Sequence, residues 1–238
     1  MSESPYLSVV IPAYNESHRI EATLSAVQHY LEGRAYSYEV IVVDDGSHDD
    51  TVARVQALAA HWPALRVVRL PSNQGKGAAV RTGCLEATGE RVLFMDADHS
   101  TRIEQIEDFL PHLEGHFEVV TGVRAFQEGE SRARRIVGLG FLMLAHLIVF
   151  QKAVVDSQCG FKCFTREAVQ AIFPRTHVNG GTIDVEILYY AHRLGLPIYF
   201  QPVEWCNAPG STISPWRCLV QDPIDMIRIR LRDVFDRD

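Results

Sequence analysis

Four short clusters of acidic, amide and glycine residues carry the chemical signal of this chain. Each directly follows an apolar run: Pro12-Ala13-Tyr14-Asn15-Glu16, Asp44-Asp45-Gly46-Ser47, Asn73-Gln74-Gly75-Lys76-Gly77 and Asp96-Ala97-Asp98. One such cluster reads as an ordinary turn, because Asp, Gly and Ser serve chain reversal. Four in consecutive units, all at one edge of one sheet, imply a shared crevice. Asp96 and Asp98 are two residues apart, so in an extended segment their carboxylates point the same way. Such a pair attracts a hard divalent cation, and Mg²⁺ typically takes one or two carboxylates together with phosphate oxygens. A metal held this way neutralises a departing diphosphate. Lys76 and Arg81 offer further positive charge, and Gly75 and Gly77 allow close backbone approach to a ligand. The implied chemistry is nucleotide handling. Neither GxxxxGK[ST] nor GxGxxG occurs, so P-loop and dinucleotide-fingerprint readings lose support.

The elements that must position these clusters alternate between strand and helix. Strands are expected at 7–11 (LSVVI, stopped by Pro12), 38–43 (YEVIVV), 65–70, 91–95 and 117–123. Helices are expected at 20–30, 51–60 and 76–87, with one more running from a capping box at Thr101-Arg102-Ile103-Glu104 to residue 113. Short runs rich in Val and Ile between helices point to an α/β fold, a mostly parallel sheet covered on both faces. Ligands of such sheets bind beyond the carboxyl ends of the strands.

The second half differs. Residues 136–150 (IVGLGFLMLAHLIVF) form the most apolar stretch. As a helix it would span roughly 22 Å at about 1.5 Å per residue, short of a bilayer core of about 30 Å. A buried core helix and an interfacial membrane helix both fit it. Arg132, Arg134 and Arg135 precede it, and 224–235 (IDMIRIRLRDVF) mixes apolar residues with arginines as a basic amphipathic element does. The chain divides into residues 1–130, which hold the four clusters, and 131–238, which make the membrane-proximal half of the same domain and end in an apolar or amphipathic helical extension.

At 238 residues the chain is long enough for one large core, and its 47% apolar content excludes global disorder. The 23 basic and 30 acidic residues give a net charge of −7, which argues against a nucleic-acid partner. Cys84, Cys159, Cys163, Cys206 and Cys218 make no CxxC pair, so a reducing compartment is the simplest reading. Cys159 reads as a small buried side chain rather than a nucleophile. The first twelve residues lack a basic region and a long apolar region, so they do not read as a signal peptide. No pattern reports an oligomeric state.

The motifs VVIPAYNE, VVDDGS, NQGKGAAV and MDAD, in this order, resemble glycosyltransferase family 2 and its GT-A (Rossmann-like) fold. In the second half, DSQCGFKCFTR at 156–166, IDVEILY at 183–189 and Pro209-Gly210-Ser211 resemble the dolichyl-phosphate β-glucosyltransferase branch. The resemblance implies an inverting transfer of a hexose from a nucleotide sugar, UDP-glucose being favoured, to a polyprenyl or dolichyl phosphate. GDP-mannose as donor and a saccharide acceptor stay open as alternatives, as does a noncatalytic nucleotide-binding module. By resemblance, Pro12, Tyr14 and Glu16 contact the base and ribose, and Asp44 or Asp45 binds the base. Lys76 lies near base or phosphate, Asp96 touches ribose or metal, and Asp98 ligates Mg²⁺ or Mn²⁺. The acceptor phosphate falls to Arg124, Arg132, Arg134, Arg135 and Lys162. Gln158, Lys162, Asp184 and Glu186 shape the sugar and acceptor end. If a catalytic base exists it is Asp184, with Asp156 second, although an acidic residue there also suits a helix N-terminus. A phosphate monoester is already anionic at neutral pH, so a strong base is not required. Asp96 and Arg124 then act by placing and stabilising charge.

Three departures from the relatives stand out. Eukaryotic relatives begin with a membrane-spanning anchor, whereas this chain starts directly at its first strand. Gly160 stands where some relatives have an acidic residue, and Thr212-Ile213 where a Lys is common. The expected location is cytoplasmic, peripherally associated with the cytoplasmic face of a membrane.

Overall fold

A computed structural model describes residues 4–124, 156–206 and 215–235 of the chain. Seven strands form one sheet: β1 (Leu7–Ala13), β2 (Tyr38–Asp44), β3 (Leu65–Arg69), β4 (Arg91–Met95), β5 (Val119–Arg124), β6 (Phe161–Thr165) and β7 (Ile198–Val203). Their order is β3-β2-β1-β4-β6-β5-β7. The pairs β1–β2, β2–β3, β1–β4 and β5–β7 are parallel, while β6 is antiparallel to β4 and β5. The only reversed strand among those described thus lies between β4 and β5, so the second half of the chain is built into the sheet of the first.

The continuous apolar strand runs have a simple cause: both faces are covered. Val10, Ile41, Val43, Phe94 and Phe164 face one core with α3 (Lys76–Glu86), α5 (Arg166–Ile172) and α6 (Ile183–Arg193). Val9, Ile11, Val40, Val42, Leu93, Met95 and Phe161 face the other, with α1 (Ile20–Glu32), α2 (Thr51–Ala59) and α4 (Leu110–Glu114). In α1 the spacing of Ile20, Leu24, Val27 and Leu31 puts all four inside, as a 3.6-residue period requires. The last helix, α7 (Pro215–Phe235), buries Met226 and Ile229 against the first of these cores.

Two expectations change. Strand β1 does not stop at Pro12 but continues through Ala13, pairing Pro12 with Val43. Pairing with β4 ends at Val10–Phe94, so the N–H that proline lacks is not needed there. The capping box at Thr101 does not form. Thr101 instead makes an isolated antiparallel bridge with Trp205, and the chain enters a 3₁₀ segment at Ile103–Asp108 with no side-chain cap. A true cap occurs at Thr165, whose hydroxyl accepts the Ala168 N–H at 3.1 Å to start α5.

Candidate active site

The four clusters do converge at the carboxyl ends of β1, β2 and β4, tied together mainly by hydrogen bonds between side chains and backbone. Asn15 adopts φ 55°, a left-handed conformation that Asn tolerates better than most residues. There its N–H donates to Ser47 Oγ and its side-chain carbonyl accepts the His48 N–H, each at 2.9 Å. The Tyr14 ring is exposed and meets the His48 ring edge-on at 6.5 Å. Glu16 pairs with Arg19, one turn on, through Nε and Nη2. The Thr23 hydroxyl donates to the Ala97 carbonyl at 2.7 Å, which fixes α1 to the Asp96–Asp98 turn.

The two aspartates after β2 divide their work. Asp44 is fully buried, accepts the Ser47 N–H at 3.2 Å and has the Arg69 Nε at 3.6 Å. Asp45 is 3% exposed and accepts the N–H groups of Gln74 and Gly75 at 2.7 and 2.8 Å. It therefore clamps the third cluster onto the second. Gly75 and Gly77 were expected to admit a ligand, but they admit protein. A Cβ on either would stand 2.3 Å from a backbone oxygen, that of Asn179 for Gly75 and of Val178 for Gly77. Gly75 also needs φ 105°. Arg81 likewise turns to this loop, donating to Asn179 Oδ1 at 2.6 Å.

The acidic pair does not lie in an extended segment. Residues 97 and 98 form a turn, and His99 follows at φ 58°. Asp98 Oδ1 accepts both the N–H and the hydroxyl of Ser100, at 3.0 and 2.6 Å. Asp96 Oδ1 meets the Lys76 ammonium at 2.8 Å. Desolvation pushes the Asp96 carboxyl above its usual range, and the Lys76 charge pulls it part of the way back. For Lys76 desolvation acts the other way, and Asp184 and Asp96 outweigh it to hold the ammonium charged. Gly160 lies directly against Asp96, since a Cβ there would be 1.9 Å from Asp96 Oδ2.

Asp184 and Lys162 were expected at the sugar and acceptor phosphate, but the structure buries both. Asp184 is 2% exposed, in the first turn of α6, with Lys162 Nζ at 2.5 Å and Lys76 Nζ at 3.3 Å. Lys162 is 0% exposed, on the face of β6 toward α6, and also donates to the Cys159 carbonyl. A phosphate would reach that ammonium only by displacing Asp184. Asp96, Lys76, Asp184 and Lys162 thus form one alternating chain of charges. Glu186 accepts the N–H groups of His177 and Val178 at 2.9 and 2.8 Å, and burial pushes its carboxyl up.

On the opposite flank Arg124 grips Asp156 with Nε at 2.7 Å and Nη2 at 3.0 Å, and its guanidinium lies 5.5 Å from the Trp205 ring centre. Burial alone would raise the Asp156 carboxyl, but Arg124 and the backbone N–H groups override it and hold it low. Burial lifts the Cys159 thiol to about 11, which leaves it inert near neutral pH. Arg132, Arg134 and Arg135 and the apolar run 136–150 lie outside the described residues. Among the described residues no helix is long and apolar enough to cross a membrane.

Sequence reasoning missed Arg19 and the Gly160–Asp96 contact, and it weighed Asp156 only as a base rather than as the partner of Arg124. The i, i+3 spacing of Glu16 and Arg19 at a helix start signals their pair. Gly160 gives no such signal, since its role appears only when β6 is set beside β4.

Comparison with known proteins bears on the family and the fold. The family model described as glycosyl transferase family 2 matches residues 8–173. A Trichomonas vaginalis protein named dolichyl-phosphate beta-glucosyltransferase ALG5C is 38% identical, with 95% of this chain and 71% of that protein covered. The human dolichyl-phosphate beta-glucosyltransferase is 39% identical, over 97% of this chain and 76% of its own. Glucosyl-3-phosphoglycerate synthase from Mycobacterium tuberculosis shares the fold, with a TM-score of 0.71 at 22% identity over 95% of this chain and 81% of that one. The same synthase has been solved with Mn²⁺, UDP-glucose and phosphoglyceric acid, at a TM-score of 0.68. A family match over residues 8–173, with relatives alike over nearly the whole of this chain, makes this protein a glycosyltransferase of family 2.

Proposed function

We propose that this enzyme moves glucose from UDP-glucose to a dolichyl or other polyprenyl phosphate, with inversion at the anomeric carbon and with Mn²⁺ or Mg²⁺ bound. The observation that carries the glucose and the acceptor is the likeness, over 95% and 97% of this chain, to proteins named dolichyl-phosphate beta-glucosyltransferase. The site supports it chemically. Asp96 and Asp98 stand on one turn beside the β1 and β2 loops, and among the described residues no group of three or more His, Cys, Asp or Glu gathers to hold a metal alone. Two carboxylates suit a cation whose remaining ligands are diphosphate oxygens. Bound there, the metal would supply charge neutralisation to the departing nucleoside diphosphate.

This chain's own residues do the rest. Tyr14 and Glu16, with Pro12 beneath, line the base and ribose end; Asp44, fully buried, shapes that end from behind by holding the Ser47 N–H rather than by meeting the base, and Asp45 holds the Gln74–Gly75 segment. Lys76 brings positive charge to the diphosphate. Arg124, fixed by Asp156, presents a guanidinium to the acceptor phosphate, with Arg132, Arg134 and Arg135 proposed to join it. The acceptor attacks as an anion, so Asp184 has no proton to take, and its position between two ammonium groups fits a structural bridge.

The association with the cytoplasmic face of a membrane is proposed as peripheral. Besides residues 136–150, α7 offers Ile224, Ile227 and Leu231, which are 40%, 46% and 53% exposed, beside exposed Arg228 and Arg232. Such a face suits an anionic lipid surface. The test is a donor panel against one short polyprenyl phosphate, with glucose and mannose saccharides as competing acceptors. The expected result is consumption of UDP-glucose and a β-linked glucosyl phospholipid. Preference for GDP-mannose, or transfer only to saccharide, would overturn the reading.

A further inference from the structure

Lys76 is the hinge of the charge chain. Its ammonium lies 2.8 Å from Asp96 Oδ1 and 3.3 Å from Asp184 Oδ2, with the Phe94 ring centre 5.1 Å away. Lys162 already neutralises Asp184 from the other side. Arg19 also lies within electrostatic reach of both Asp96 and Asp98. In this arrangement Asp96 is not a free carboxylate awaiting a cation; an internal cation already holds it.

We propose that Lys76 is a tethered counter-cation for Asp96 which keeps a divalent metal out until a nucleoside diphosphate arrives. The proposal rests on the reading of Asp96 and Asp98 as the metal pair. A bare divalent ion entering the site meets one carboxylate already paired with Lys76 and is repelled by the ammonium at close range. A nucleoside diphosphate changes the balance, because its phosphate oxygens attract both the metal and Lys76. Lys76 can leave Asp96 without losing all its compensation, since Asp184 stays beside it. Metal and nucleotide therefore enter as a coupled pair, and reciprocal linkage requires each to tighten the other. Lys76 acts here as a positioning residue, through Asp96.

The test is Mn²⁺ binding to the nucleotide-free protein, read from the electron paramagnetic resonance of unbound Mn²⁺ and repeated with UDP and with GDP. Wild type should bind Mn²⁺ weakly alone and at least about tenfold more tightly with its nucleotide. Lys76→Met and Lys76→Gln should bind Mn²⁺ alone about tenfold or more tightly than wild type, with less further gain from nucleotide. Lys76→Arg keeps the charge and should keep the wild-type pattern. Adding Asp96→Asn to Lys76→Met should return binding to weak. Circular dichroism identifies any variant that fails to fold, and two neutral substitutions guard against losing one. If nucleotide tightens Mn²⁺ on wild type yet both neutral variants bind free Mn²⁺ no better than wild type, this proposal fails and the metal reading stands. If neither UDP nor GDP tightens Mn²⁺ on wild type, the metal reading fails and this proposal with it.

Discussion

Gly160→Ala probes how closely the acidic turn is fitted to β6. An added Cβ would stand 1.9 Å from Asp96 Oδ2 and 2.3 Å from its Cγ. Ordinary contact begins near 3.4 Å, so the carboxylate or the 158–160 turn must shift by roughly 1.5 Å. The Asp96 N–H also donates to the Gly160 carbonyl at 3.0 Å, which ties the two backbones and leaves the side chain to yield. Overpacking of this kind costs about 1–3 kcal/mol, or a fall in Tm of roughly 2–12 °C for a chain of this size. The larger effect falls on activity. A displacement of about 1 Å in a positioned group costs on the order of 100-fold in rate. The expected outcome is a folded protein with kcat/KM for UDP-glucose down about 100-fold or more. Gly33→Ala serves as the control, because its Cβ would meet nothing closer than 3.4 Å and its φ is −81°. Transfer by Gly160→Ala within threefold of wild type would refute the inference that this glycine sets the Asp96 position.

Further outcomes follow from the buried charges. Lys162→Met leaves Asp184 buried with only the more distant Lys76 and should destabilise by about 3–5 kcal/mol in urea. A loss under about 1 kcal/mol would mean that the pair is not what holds α6 to β6. Asp45→Ala strands two N–H groups of the third cluster and should cost about 2 kcal/mol while weakening UDP binding in calorimetry. Unchanged affinity would separate that loop from the nucleotide site. The Asp156 carboxyl is held below its ordinary value, so between the two values the unfolded chain binds more protons than the folded one. Its contribution is complete above about pH 5 and is lost as pH falls through the lowered folded value. Asp156→Asn should therefore flatten the acid limb of the stability profile, and an unchanged limb would show that other carboxylates set it.

Much of the sheet was legible because buried parallel strands write themselves as apolar runs. Strand β4 appeared at 91–95 as expected, and β1, β2, β3 and β5 moved only at their ends. The positions of β6 and β7 were not legible, since antiparallel insertion between β4 and β5 depends on tertiary pairing. Lys162 shows the limit most clearly. A lysine in a DSQCGFK motif reads as a phosphate ligand, yet the alternation of β6 turns it toward α6 and Asp184. The glycines of the third cluster carried a similar ambiguity, because close approach reads the same in sequence for a ligand and for the Asn179 backbone. The acidic pair was legible as a pair, but its turn was not, because the enrichment of histidine at positive φ is too weak a signal to mark His99 on its own.

The most direct measurement of the central claim is product formation by protein stripped of metal, given UDP-glucose and a short polyprenyl phosphate, as Mn²⁺ is added back. No transfer is expected before addition, then saturable recovery of β-linked glucosyl phospholipid with one UDP released per product, and no recovery in Asp98→Ala although it stays folded. Full turnover in excess chelator, or recovery in Asp98→Ala equal to wild type, would contradict it.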